Sequence, residues 1–276
     1  MTATATSTKT DELLQQLTEG VEKLTTSDEW VRYLDVQQRF HHYSFGNVLL
    51  IALQRPDATR VAGFHRWLEV GRHVCKGEKG IAILAPIVSR IKVEDKETGE
   101  ERTIASAPRA FRVVHVFDIS QTDGEELPEI PCHRLEGEGA AYDELTTYAE
   151  GLGFRVEVGE LPGETNGLCD HTTRTITVRE GLAPAQQTKT LTHEIAHAML
   201  HGLDFEAPRA QKELEAESVA YIVCGSIGVD SGDYSFGYVA GWGGGDDAIK
   251  RIRESGHRIQ QTAQHILREL SLDEAA

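Results

Sequence analysis

Two histidines four residues apart with a glutamate between them, in His193-Glu194-Ile195-Ala196-His197, are the part of this chain best arranged for chemistry. Side chains at i and i+4 leave one face of a helix a turn apart, so both imidazoles can bind one tetrahedral Zn2+ at about 2.0–2.1 Å. Glu194 stands beside them, placed to take a proton from an attacking water and pass it to a leaving amine, the role of a catalytic base in zinc hydrolases. A hydrolytic zinc needs a third protein ligand. Leu200 and Leu203 occupy the positions where an extended motif carries Gly and a third His, so the ligand must come from elsewhere. Downstream, Glu213, Glu215 and Glu217 offer three carboxylates. His201 reads as a structural neighbour of the metal ligands, and His171, Tyr221, Tyr234 and Tyr238 are the candidates for stabilising an oxyanion.

These residues need a scaffold. The run from Thr190 to His201 has no Gly or Pro and an apolar stripe through Leu191, Ile195 and Met199, which predicts a buried helix. Further helices are predicted over Leu214–Cys224 and Asp247–Leu270. Ahead of them a helix over Ala140–Leu152, a strand over Phe154–Val158, a polar loop and a strand over Thr173–Val178 lead into the motif. That last strand is a candidate to hold an extended substrate by strand addition. In the first half, Leu13, Leu14, Leu17, Val21 and Leu24 recur at helical spacing behind a frayed Thr/Ala-rich start. Ser27 caps a second helix to about Phe40, and a third spans Asn47–Gln54 before Pro56. The runs Ile81–Val88 and Phe111–Phe117 read as strands, with Arg102–Ile104 between them after an acidic hairpin loop over Glu94–Glu101. Ser120–Gly139 is rich in Gly, Pro and Glu, the composition of a domain boundary. The expected organisation is α+β in two domains, 10–120 and 139–276, joined by a linker over 121–138. The first is a helical and β-hairpin module, the second a zincin-like metallopeptidase domain.

The chain has 276 residues, 39% apolar and 26% charged, enough to bury a core and unlike a disordered polymer. Its longest apolar run, Val48–Leu53, is far short of the roughly 20 residues of a membrane helix, and the N-terminus has no signal-peptide core, so a cytoplasmic protein without membrane contact is expected. Cys75, Cys132, Cys169 and Cys224 form no Cys-x-x-Cys pair and are expected as free thiols. The net charge of −16 opposes polyanion binding on average. Locally it reverses: between Val36 and Gly80 seven cations (Arg39, Arg55, Arg60, Arg66, Arg72, Lys76, Lys79) face three acids (Asp57, Glu69, Glu78). Aromatics and glycines interleave with those cations in Tyr43-Ser44-Phe45-Gly46-Asn47, Gly63-Phe64-His65-Arg66-Trp67 and Gly71–Gly80. Single-stranded nucleic acid rewards that mixture, since bases stack on rings while Lys and Arg follow the phosphates. Tyr43, Asn47, Arg66, Trp67, Arg72, Lys76 and Lys79 are the expected contacts.

The pattern Leu191-Thr192-His193-Glu194-Ile195-Ala196-His197 followed by Glu215-Ala216-Glu217-Ser218-Val219-Ala220 resembles ImmA/IrrE-type metallopeptidase domains. Their third ligand lies in a Glu-Ala-Asn-x-Phe-Ala type motif, which the resemblance maps to Glu215, with Glu217 standing for the Asn and Val219 for the Phe. The N-terminal segments resemble the single-stranded-DNA-binding domain of ArdC-type antirestriction proteins: a Tyr-Ser-x-x-Asn helix start, a Gly-Phe-x-x-Trp segment and a Gly-x-x-Val-x-Lys-Gly-Glu-Lys-Gly turn follow in that order. Cys75 stands where a second basic residue is common. Such proteins are carried on mobile elements and shield incoming DNA from host restriction, which implies single-stranded DNA as a partner and a protein as a possible substrate. The alternatives are a regulatory protease that cleaves a transcriptional repressor, a DNA-coating protein whose zinc is structural, and an acidic DNA mimic, against which the clustered cations count.

Overall fold

The computed structural model describes residues 3–24, 26–94, 101–105, 108, 110–126, 140–229 and 246–270. The chain is mixed α and β and divides into two compact units that do not follow chain order. Residues 1–20 and 50–125 form the first, and residues 21–49 and 126–276 the second. No helix among the described residues is long and apolar enough to cross a membrane.

Helix α1 (Ala3–Lys23) begins ahead of its periodic leucines, the Ala-rich start joining the helix rather than fraying. Its Leu13 packs with Leu50 and Leu84 in the core of the first unit. Leu50 comes from α3 (Phe45–Gln54) and Leu84 from β3 (Ile81–Ile87). The main sheet of this unit places the long strand β6 (Ala110–Asp118) between β1 (Val61–Gly63) and β3, both antiparallel to it. Between β1 and β3 lie the short helix α4 (Phe64–Glu69) and β2 (Arg72–Val74). The hairpin of β4 (Arg90–Glu94) and β5 (Glu101–Ala105) flanks the acidic loop, whose residues 95–100 lie outside the described residues. A 3-10 turn (Ile119–Gln121) leads into β7 (Thr122–Gly124), which pairs with β2, so the start of the expected linker segment is strand. Gly124, at φ +135°, lies against Gly71: an added Cβ would stand 2.4 Å from its carbonyl oxygen, so only glycine lets the two strands meet there.

Asp118 ties this unit together. Its buried carboxylate accepts hydrogen bonds from the N–H groups of Thr59 (2.8 Å) and Arg60 (3.0 Å) and from the N–H and hydroxyl of Ser120. Burial alone would raise its pKa, but these four donors outweigh burial and hold it below the usual carboxylate range. A carboxyl with a depressed folded-state pKa stabilises the fold above the unfolded-state pKa, near 4, and that contribution is lost as pH falls through the folded value. Asp118→Asn therefore lowers the urea midpoint at pH 7, and its gap to the wild type narrows as pH is taken below about 4. A gap that stays constant with pH would refute the carboxylate's role.

The second unit gathers α2 (Ser27–Arg39), α5 (Ala140–Gly151), the strands β8 (Arg155–Gly159), β9 (Gly167–Asp170) and β10 (Thr175–Arg179), and the helices α6 (Pro184–Leu200), α7 (Arg209–Ser226) and α8 (Asp246–Glu269). Thr26, one residue before the expected Ser27, caps α2 by accepting from Glu29 N–H. Although α2 lies inside the 10–120 segment, it packs on α7: Trp30 is fully buried with Nε1 donating to Ser218 Oγ at 3.0 Å, and Gln38 donates to the Tyr221 carbonyl. The strand order β8-β10-β9 makes β10 the middle strand, parallel to β8 and antiparallel to β9. This corrects two expectations. Thr173–Val178 cannot add a substrate strand, because β10 spends its hydrogen bonds on both neighbours; and part of the expected polar loop is strand β9, the outer strand of this sheet among the described residues.

Candidate metal centre

Helix α6 starts on Pro184, whose missing N–H costs nothing at the first helical position. Its back is apolar, with Leu191 and Ile195 fully buried, and Thr188 and Thr192 satisfy their buried hydroxyls on the carbonyls of Pro184 and Thr188. The other face carries His193 and His197. Their Nε2 atoms lie 3.1 Å apart, and Glu213 Oε2, from the second turn of α7, is 3.4 Å from one and 3.7 Å from the other. For ligand distances of about 2.0–2.1 Å a tetrahedron has edges of roughly 3.3–3.4 Å, so these three atoms sit at the spacing one four-coordinate ion requires.

Glu215, to which the family motif mapped the third ligand, is not with them. It is fully buried between α7 and α8, its carboxylate held by Arg258, Ser255 and Gln211 and 3.2 Å from His201 Nε2. The reason is helical geometry. At about 100° per residue, Glu213 and Glu217 project within about 40° of each other, while Glu215 points about 160° away from both. That signal was available in the sequence. Glu217 reaches the site from behind: its Oε2 is 3.0 Å from His193 Nδ1, and its Oε1 pairs with Lys189 at 3.1 Å. His197 Nδ1 in turn lies 2.8 Å from His201 Nδ1.

The electrostatics follow from burial and these partners. Burial lifts the Glu194 carboxyl above the ordinary carboxylate range. Burial would lower the pKa of His193, but the carboxylates of Glu213 and Glu217 override it and raise it to about 9. Hydrogen bonds to the two histidines hold Glu213 well below the usual range. For Glu215, burial opposes ionisation, yet His201, Arg258, Ser255 and Gln211 together bring it down to about 2.

The three candidate ligand atoms and Glu194 line a cleft of about 690 Å³, which Gly167, Leu168 and Cys169 of β9 also line. An added Cβ on Gly167 would lie 2.6 Å from both Glu194 Oε1 and Thr190 Cγ2, so glycine is what allows β9 to run against the motif helix. His171 also lines the cleft. Its Nε2 is buried without a hydrogen-bond partner, beside the Phe154 ring at 5.6 Å. Tyr221, the other described oxyanion candidate, donates instead to Asp35 on α2; Tyr234 and Tyr238 lie outside the described residues.

The expected nucleic-acid contacts divide between structure and surface. In the second unit Tyr43 is half-buried against His42 and Phe40, and Asn47 lies in the first turn of α3 with its N–H donating to Ser44 Oγ. In the first unit, Trp67 is corrected from a stacking platform to a core residue. It is 2% exposed and donates through Nε1 to the Phe117 carbonyl at 2.9 Å, because on α4 its position faces the sheet. Arg72 clamps β7 and the residue after it through Thr122 and the Glu125 carbonyl, and Arg66 pairs with Glu69 on the surface. Lys76 and Lys79 are exposed in the turn before β3. The aromatic of the Gly63–Trp67 segment that does face solvent is Phe64, 46% exposed on α4, with the exposed His65 ring edge-on beside it at 5.8 Å. Phe64 belongs to the same segment as the expected tryptophan, and size alone does not tell which face of a six-residue helix is buried.

Comparison with known proteins places the chain. Residues 3–117 match the family described as the N-terminal domain of anti-restriction factor ArdC, and residues 150–224 match the IrrE N-terminal-like domain. The architecture is thus an anti-restriction-type N-terminal domain followed by a domain of IrrE peptidase kind. This pair of matches, in this order, supports reading the chain as an ArdC-type protein. Among solved structures, the antirestriction ArdC protein from the R388 plasmid shares the fold. In its metal-free form the TM-score is 0.51 at 24% identity, covering 83% of each chain. In its Mn(II)-bound form it is 0.51 at 22%, covering 85% of this chain and 86% of that one. An uncharacterized protein of Bacillus anthracis is 24% identical over 298 residues. That match takes in 94% of this chain and 51% of the relative, so the chain spans about half the relative's length.

Proposed function

We propose that this protein is a metal-dependent peptidase-type hydrolase that also binds single-stranded DNA, acting in antirestriction. The observation that carries the reading is the arrangement of His193, His197 and Glu213 at tetrahedral spacing beside buried Glu194, in a cleft walled by the outer strand β9. The donor set of two imidazoles and one carboxylate suits zinc and accepts other divalent ions, in keeping with the Mn(II)-bound form of the R388 protein. When bound, such an ion acts as a Lewis acid toward a carbonyl oxygen and lowers the pKa of water. An extended peptide adds to the outer strand β9 through main-chain hydrogen bonds, which fix its direction and ask little of its side chains. Glu194 takes the proton of the attacking water on its carboxylate and delivers it to the leaving amine; its raised pKa matches that exchange. Of the described oxyanion candidates, His171 lines the cleft, while Tyr221 is engaged by Asp35.

Metal content by mass spectrometry tests the centre. One divalent ion per wild-type chain and none in His193→Ala supports it; equal content in both overturns it. A cytoplasmic location and a protein substrate belong to the same proposal.

For the DNA-binding half, Phe64 and His65 offer the stacking face and Lys76 and Lys79 the phosphate contacts. Each base stacked on an aromatic contributes about 1–3 kcal/mol. Phe64→Ala therefore weakens binding of a fluorescent oligo-dT about 5- to 150-fold with no loss of melting temperature, whereas Trp67→Ala destabilises the fold by about 3–5 kcal/mol. Removing Lys76 and Lys79 together flattens the salt dependence of binding by about 1.4 in log–log slope, at roughly 0.7 per phosphate contact. An oligonucleotide affinity indifferent to all three substitutions would remove the surface from the proposal.

A further inference from the structure

The buried cluster around Glu215 lies off the catalytic face, yet it is joined to it by one unbroken line of hydrogen-bonding atoms. Glu215 Oε2 is 3.2 Å from His201 Nε2, and His201 Nδ1 is 2.8 Å from His197 Nδ1. The proton positions along this line are not free. An ionised carboxylate can only accept, so His201 must carry its proton on Nε2. Neutral His201 then has a bare Nδ1, which can only accept from His197 Nδ1–H. His197 is left with its lone pair on Nε2, the atom that faces His193 Nε2 and Glu213. The carboxylate that starts the sequence is itself fixed by α8: Ser255 donates to its Oε1, and the Arg258 guanidinium reaches both oxygens. Glu215 is 0% exposed and the His201 side chain 3%, so no solvent competes for these bonds. On the other histidine, Glu217 does the same in one step, accepting from His193 Nδ1.

We propose that Glu215 is a positioning residue that acts through His201 to orient His197 and fix its tautomer, and that α8, through Ser255 and Arg258, thereby completes the metal centre. Both α8 residues lie beyond residues 150–224, the segment matched by the peptidase family. That segment therefore holds all three ligands but lacks the support of one of them. The inference rests on the metal-centre reading and refines it. Partners that orient a metal-binding histidine from behind are worth about 10- to 100-fold in metal affinity.

The experiment is a double-mutant cycle on the full chain, reading Zn2+ affinity by chelator competition and the visible spectrum of the Co2+-loaded protein. His201→Phe keeps the ring volume and leaves Glu215 bonded to Arg258, Ser255 and Gln211, so it folds. Glu215→Gln keeps the shape and removes the charge. His201→Phe is expected to weaken Zn2+ binding about 10- to 100-fold and shift the Co2+ bands, while their intensity stays that of a four-coordinate ion. Glu215→Gln is expected to weaken binding in the wild-type background and to add nothing in the His201→Phe background, because its effect passes through His201. Metal-free melting curves of the three variants separate loss of fold from loss of orientation. Full affinity in His201→Phe, or additive losses in the double variant, overturns the relay while leaving the metal centre in place. Loss of all metal in Glu215→Gln with full binding in Glu213→Gln makes Glu215 a direct ligand and overturns both; so does a wild type that binds no metal.

Discussion

Glu213→Gln lowers zinc affinity by more than about 100-fold while leaving the chain folded. The carboxylate brings the one negative charge among the three ligand atoms, at 3.4 and 3.7 Å from the two imidazole nitrogens. Glutamine keeps the shape but offers a neutral and weaker donor. The loss exceeds the roughly 10- to 100-fold of an outer partner because the bond to the ion itself is removed. Glu213 is half-exposed at the mouth of the cleft, so no buried charge is orphaned and the melting temperature of the metal-free protein stays close to wild type. Glu217→Gln, by comparison, falls within the range of an outer partner, because Glu217 touches only the far nitrogen of His193 and Lys189. Isothermal titration with Zn2+ ranks the three glutamates directly. An order in which Glu217 outweighs Glu213 would reverse the assignment of face on α7.

Glu194→Gln abolishes hydrolysis and nothing else. A positioned general base contributes about 10²- to 10⁴-fold to rate, and the carboxamide cannot receive the proton of the attacking water. Glu194 is 7% exposed, lies against Gly167 of β9 and is not one of the three ligand atoms. The variant therefore retains one metal per chain, oligonucleotide affinity and stability. The measurement is cleavage of a peptide library followed by mass spectrometry, with the His193→Ala protein as the metal-free control. If Glu194→Gln cleaves as well as wild type, the peptidase reading is wrong. If antirestriction survives in cells although all cleavage is lost, the metal serves structure, and the DNA-coating alternative takes its place.

The motif helix and the shared face of its two histidines were legible from spacing alone, because i and i+4 fix a shared face whatever the helix packs against. The helices of the second half and the paired strands of the first were legible for the same reason, since period 3.6 and period 2 are local properties. Strand β9 was not. Gly167-Leu168-Cys169-Asp170 has no alternation strong enough to read, and it is a strand because β10 offers it a partner. Trp67 misled because aromatic, cation and glycine in one segment describe composition, whereas stacking depends on which side of α4 meets the sheet.

Residue type and spacing set out the groups available: two imidazoles on one helix face with a carboxylate beside them, three carboxylates on the next helix, and a cationic aromatic segment in an acidic chain. Packing chose which carboxylate meets the imidazoles and which strand edge faces them, and it put α2 with the peptidase-like unit. Ligand atoms must converge to a few ångströms in space, and residues far apart in the chain do so only once α6, α7 and α8 have packed and each buried charge has found its partner.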